Sequence, residues 1–123
     1  MAHLLRYLEE RSVTAKQTYR LRINLDEGRV TVSQPTPSGE DRLPDDPYLQ
    51  RQPLIAGIRI SDLTTDQQGR LTSGETVLLY GPGGRSEALL LHLAAPGGAQ
   101  FTIQSLPVNA TVKTAAGYQE NIP

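Results

Sequence analysis

Leu4, Leu5, Leu8, Ser12, Ala15 and Tyr19 fall in one stripe about 100° wide when successive residues are set at roughly 100° steps, which predicts an amphipathic helix. Arg6, Glu9, Glu10, Lys16 and Gln17 point away from that stripe and are left to solvent or to a neighbouring subunit. At Tyr19 the period changes from 3.6 to 2: Tyr19, Leu21, Ile23 and Leu25 alternate with Arg20, Arg22 and Asn24, so a strand with one buried face follows the helix. Asp26-Glu27-Gly28-Arg29 reads as a turn, with glycine where a positive φ costs least. Val30 and Val32 then alternate with Thr31 and Ser33 on the way back.

Residues 34–53 break the pattern. Five prolines and Gly39 lie among acidic residues, so an irregular excursion of about 20 residues is expected. Two roles suit it: a contact surface, or a passive crossover pinned by Tyr48 and Leu49. Leu54, Ile55, Ile58 and Ile60 predict the next strand, with a bulge or close approach at Gly57 and an end at Ser61-Asp62-Leu63. Residues 64–75 read as an exposed polar connection. Val77-Leu78-Leu79-Tyr80 reads as a fully buried strand that forms a second hairpin with residues 88–93 around a turn at residues 81–85. Phe101, Ile103 and Ser105 mark a further strand, Pro107-Val108-Asn109-Ala110 a corner and Thr111-Val112-Lys113 the last strand. Residues 117–123 are expected to fray.

Together these predict an α+β fold, an N-terminal amphipathic helix packed on antiparallel β-sheet(s) of about seven short strands. The expected division is a single domain with helix at 1–18, antiparallel β region at 19–116 and tail at 117–123.

Composition narrows the choice. Of the 123 residues 37% are hydrophobic, with one Phe and no Trp, so the core should be aliphatic. The net charge of -1, with Lys and Arg spread along the chain, carries no footprint for nucleic acid or anionic lipid. With no cysteine, disulfides, thiolate catalysis and Cys-ligated zinc are excluded.

A helix dense in Leu and Arg that runs directly into Tyr19-Arg20-Leu21-Arg22-Ile23, a glycine turn and a second strand resembles the globular part of the H-type minor pseudopilins of type II secretion. Related minor pilins of type IV pili, the GspH/FimT-like pilin class, are similar. The resemblance implies a pilin-like fold whose helix is the C-terminal half of a longer one, the missing apolar half spanning the bacterial inner membrane. Met1-Ala2-His3 would then be a start codon and vector remnant. It also implies a periplasmic, single-pass structural subunit near the tip of a pseudopilus, with other pseudopilin or pilin subunits and secreted cargo as partners. Arg6, Glu9, Glu10 and Lys16 on the helix, with Asp45, Asp46 and Tyr48 in the loop, are the residues assigned to such an interface. The other class of reading is a minor type IV pilin acting in assembly, adhesion or DNA capture, for which Arg20, Arg22, Arg29 and Arg42 would have to form a basic strip.

Catalysis finds little support in the residues. His92 lies in an apolar strand with no acidic neighbour in sequence and is expected to be a satisfied strand histidine. The glycine run 81–84 followed by Arg85-Ser86 lacks the lysine and following helix of a phosphate loop. Glu40-Asp41 and Asp45-Asp46 lack the ligand spacing of a calcium loop. Asn109-Ala110-Thr111 matches a glycosylation triplet, a weak signal. No enzyme activity, metal, cofactor, small molecule or nucleic acid is therefore expected. If the resemblance holds, the coding sequence upstream of Ala2 encodes a short basic leader, a Gly cleavage point, an aromatic residue with Glu four later, and about 20 apolar residues leading into Leu4. Reading that sequence is the check, and a start at Met1 without the segment contradicts the expectation.

Overall fold

The computed structural model describes residues 1–54, 57–83, 87–107 and 111–122. One helix, α1 (Ala2–Thr14), precedes nine strands among the described residues: β1 (Tyr19–Asn24), β2 (Arg29–Pro35), β3 (Asp41–Arg42), β4 (Arg59–Thr65), β5 (Gly69–Leu71), β6 (Glu75–Tyr80), β7 (Leu89–Ala94), β8 (Gln100–Leu106) and β9 (Thr111–Ala116). They form two antiparallel sheets, ordered β3-β2-β1-β6 and β5-β4-β7-β8-β9. The expected α+β class is present, with two strands more than expected. β3 lies inside the proline-rich excursion, and β5 turns residues 64–75, expected as a bare connection, into a short hairpin with β4.

α1 is shorter than its apolar stripe. Leu4, Leu5, Leu8 and Ser12 are buried, Ala15 is half-buried just beyond the last helical residue, and Tyr19 is buried as the first residue of β1. The helix stops because Lys16 turns left-handed, with φ of 52°. The Gln17 amide then donates to the Ser12 carbonyl at 3.2 Å and the Lys16 amide to Val13 at 3.3 Å, a Schellman pair that satisfies carbonyls the helix end would leave open. Glycine normally fills that position.

β1 runs down the middle of the first sheet, paired to β2 from Arg20↔Ser33 to Asn24↔Arg29 and to β6 from Tyr19↔Tyr80 to Asn24↔Glu75. Its inward row Tyr19, Leu21, Ile23 meets Val30 and Val32 of β2 and Leu78 and Tyr80 of β6 in one cluster with Leu4, Leu5 and Leu8 of α1 and Leu63, Leu89, Leu91 and Ile103 of the second sheet. α1 contacts both β6 and β9. The core is aliphatic apart from Tyr19 and Tyr80, and the single Phe101 is 42% exposed.

Two expectations about the middle of the chain are corrected. Residues 77–80 are not buried on both sides: Val77 is 39% and Leu79 54% exposed, because β6 is an edge strand with one face outward. Four apolar residues in a row carry no period, so the alternation was invisible. Nor do β6 and β7 form a hairpin, since they belong to different sheets. The strand expected from Leu54 begins at Arg59 and runs past Leu63 to Thr65, with a register irregularity between Ile60 and Asp62. Gly57 has φ of 92°, and a Cβ there would meet the Pro96 ring at 3.0 Å, the expected close approach. The expectations for Ile55, for Gly84-Arg85-Ser86, for Val108-Asn109-Ala110 and for Pro123 lie outside the described residues.

Residues 117–122 do not fray. The Gly117 amide donates to the Gln100 carbonyl at 2.7 Å, the Ile122 amide donates to the Gln104 side chain at 3.2 Å, and Ile122 is buried.

The left-handed Lys16 carries a steric cost that glycine escapes. Lys16→Gly is expected to raise stability by about 0.5–1 kcal/mol, a few °C in Tm, and Lys16→Ile to lower it. Thermal unfolding of the two variants checks this.

Candidate functional site

The outward face of α1 and the loop beside it form the surface that the sequence singled out. Arg6 and Glu10 are exposed, and Arg6 donates to the Val112 carbonyl of β9 at 3.1 Å, tying the helix to the outer strand of the second sheet. Lys16 is exposed at the helix stop. Glu9 is corrected: it lies on the inner side, 6% exposed, because 100° steps bring it next to Leu5 and Leu8.

Residues 34–53 are tied to the helix. Asp46 caps the 3-10 turn Pro47–Gln50, accepting from the Tyr48 amide at 3.0 Å through one oxygen, while the other accepts the Tyr7 hydroxyl. The Tyr48 ring packs on Tyr7 with centroids 4.6 Å apart and edge-on to His3 at 5.5 Å. Leu49 enters the core, and the Gln52 side chain accepts from the Val30 amide at 3.2 Å. The hydrogen bond to Asp46, and then burial, push the Tyr7 phenol above its ordinary value. Asp45 remains exposed. Glu10, Lys16 and Asp45 are thus open to solvent, Arg6 is exposed but bonded to β9, and Glu9, Asp46 and Tyr48 are used within the chain.

Arg20 and Arg22 share the outer face of β1, but neither is a free cation. Arg20 pairs with Asp41 of β3 at 2.5 Å, Arg22 with Glu75 of β6 at 3.1 Å, and Arg29 with Glu27 at 3.8 Å. Each positive charge on this face has a carboxylate beside it, so the face is not a basic strip for phosphate.

A second constellation was not legible in the sequence. The β4–β7 register sets Asp62 opposite His92 on the outer face of the second sheet, and Thr102 of β8 completes the row. All three are buried, because residues 117–122 cross over them. Tyr118 stacks on His92 with centroids 3.7 Å apart and planes 15° from parallel, and donates to Asp62 Oδ2 at 2.8 Å. His92 Nδ1 lies 2.6 Å from Asp62 Oδ1, and Nε2 lies 2.7 Å from the Gln119 carbonyl oxygen. Thr102 Oγ1 donates to the Gly117 carbonyl at 2.7 Å and accepts from the Gln119 amide at 2.9 Å. Arg70 of β5 reaches Asp62 Oδ2 at 3.3 Å. Burial alone would raise the Asp62 carboxyl, but hydrogen bonds from His92 and Tyr118, with the His92 charge, hold it below its ordinary value. His92 is satisfied, as expected, by a partner 30 positions away that no local pattern reveals. With Nε2 occupied by a backbone carbonyl, the ring in this arrangement offers no free base.

Among the described residues no group of three or more His, Asp or Glu could hold a metal ion, and no helix is long and apolar enough to cross a membrane. An open groove of about 640 Å³ lies beside Leu25, Leu54, Ile58 and Ile60, rimmed by Asp26, Glu27 and Arg59.

A solved structure of the minor pseudopilin EpsH from the type 2 secretion system of Vibrio cholerae matches this architecture with a TM-score of 0.66. The match covers 94% of this chain and 90% of that one, at 20% identity. The chain has the fold of a minor pseudopilin. No protein-family model matches the chain. No curated protein matches it either.

Removing the Asp46 carboxylate takes away the cap of the 3-10 turn and the acceptor of Tyr7 together. Asp46→Ala is expected to cost about 1–2 kcal/mol and to free residues 43–52 from the helix. Denaturant unfolding and amide exchange in that segment check it.

Proposed function

We propose that this chain is a non-enzymatic structural subunit, a minor pseudopilin that assembles at or near the tip of a periplasmic pseudopilus in type II protein secretion. The likeness of its fold to that of a minor pseudopilin, over nearly the full length of both chains, carries the reading. The arrangement of α1 supports it: one face is spent on the two sheets, and the other presents Arg6 and Glu10 to the outside. In this reading a membrane-spanning apolar segment precedes α1, the domain lies in the periplasm, and neighbouring subunits meet it through Arg6, Glu10, Lys16 and Asp45. Alternating charges of this kind fix orientation and register between partners more than they add affinity. The paired arginines of β1 and β2 turn the balance away from a DNA-capturing pilin.

The test is binding of this domain to the globular domains of the other minor pseudopilins encoded in the same genome, followed by calorimetry, together with secretion by a strain lacking the gene. Binding to at least one subunit and loss of secretion are expected, with Glu10→Lys plus Asp45→Lys weakening the complex by about tenfold, roughly 1.4 kcal/mol. Undiminished secretion with no binding to any of them sinks the proposal.

A further inference from the structure

Both nitrogens of the His92 ring face acceptors. The Gln119 carbonyl can only accept, so Nε2 carries a proton. Asp62 Oδ2 accepts from the Tyr118 hydroxyl and from Arg70, an arrangement suited to an ionised carboxylate, so Nδ1 carries a proton toward Oδ1 as well. Both ring nitrogens thus sit on acceptors, and the ring is buried beside Asp62 beneath residues 117–122.

We propose that Asp62 and His92 form a proton-operated latch that holds residues 117–122 over the outer face of the second sheet only while the ring has both protons and the carboxylate has none. Loss of a ring proton sets a nitrogen lone pair against either Asp62 Oδ1 or the Gln119 carbonyl, two acceptors in contact. Gain of a proton by Asp62 removes the charge that Tyr118 and Arg70 address. The segment is also held by the burial of Ile122 and by neutral hydrogen bonds, individually weaker than the charged ones: Thr102 donates to the Gly117 carbonyl and accepts from the Gln119 amide, Gln104 donates to Asn121 and accepts from the Ile122 amide, and the Gly117 amide donates to the Gln100 carbonyl. The charged and titratable groups on the surrounding elements are Arg59 and Asp62 on β4, Arg70 on β5, Lys113 on β9, and Tyr118 and Glu120 in the crossing segment; β8 has none. Asp62 is the only carboxylate among them that bonds the ring.

The latch has two limits. Asp62 has its carboxyl held low in the folded state, so its contribution is complete above the ordinary carboxylate range and is lost as pH falls through the folded value. The latch's other limit is the loss of a ring hydrogen bond, to Asp62 Oδ1 or to the Gln119 carbonyl. Opening at either end uncovers Asp62, His92 and Thr102 and frees the Gln119 amide.

The experiment is an NMR titration of the whole labelled chain from acid to alkaline pH. It follows the His92 ring nitrogens, the contacts between the Tyr118 and His92 rings, and the Gln119 and Ile122 amides. At neutral pH both ring nitrogens are expected to carry protons. The ring contacts are expected to vanish with the same midpoint as the loss of a His92 proton on the alkaline side, and again on the acid side, while β7 and β8 amides stay in place. Tyr118→Phe keeps the stack but removes a donor to Asp62, and is expected to shift the acid limit upward without undocking the segment at neutral pH. A singly protonated ring at neutral pH, or a segment that stays docked through both titrations, overturns the proposal. So does release with a midpoint unrelated to either group.

Discussion

Burial of Leu4, Leu5 and Leu8 is the contact on which the rest of this structure depends. A 13-residue helix is marginal alone in water, and α1 has no side-chain cap at its N-terminus to help it. Each buried leucine contributes about 2 kcal/mol when its side chain leaves water, which exceeds what helix propensity supplies. The leucines enter one cluster with side chains of both sheets, and α1 touches an outer strand of each, β6 and β9. Losing the helix would therefore open both sheets at once.

The outward faces of the two sheets are managed in different ways. On the first, arginines and carboxylates alternate across β3, β1 and β6 as half-exposed pairs, whose net worth is small. What they do is leave few unpaired charges of one sign on that face. On the second sheet, β7 is buried almost throughout, with Leu89, Leu91 and Leu93 turned to the core and His92 and Ala94 to the other side. A strand buried on both sides needs a second cover, and residues 117–122 supply it. The polar row Asp62, His92, Thr102 tolerates burial because every one of its hydrogen-bonding groups described here finds a partner in a neighbour or in that segment.

The same division appears around the proposed assembly surface. Asp46 and Tyr48 attach the proline-rich excursion to α1, which leaves Asp45 in solvent beside a loop that is firmly held. A surface built from Arg6, Glu10, Lys16 and Asp45 thus rests on a helix and an anchored loop, which lowers the ordering cost of binding a partner.

Alternation and turn chemistry made α1, β1, β2, β8 and most of β7 legible in the residues, because period 3.6 and period 2 each follow from where a Cβ points. Gly57 was legible for the same local reason. Pairing was not. The split of β6 and β7 between two sheets, the short strands β3 and β5, and the docking of residues 117–122 all depend on contacts between positions far apart in the chain. The local pattern of residues 77–80 is the same in a hairpin and in a crossover. Glu9 shows the limit within a single helix: it lies just outside the apolar stripe that includes Ser12, yet both are buried, and the covering sheets decide the width of the dry face. His92 is the clearest case. An apolar strand with one histidine is all its neighbourhood shows, and only the β4–β7 register, which sets Asp62, 30 residues earlier, opposite it, turns it into a hydrogen-bonded pair under a strap.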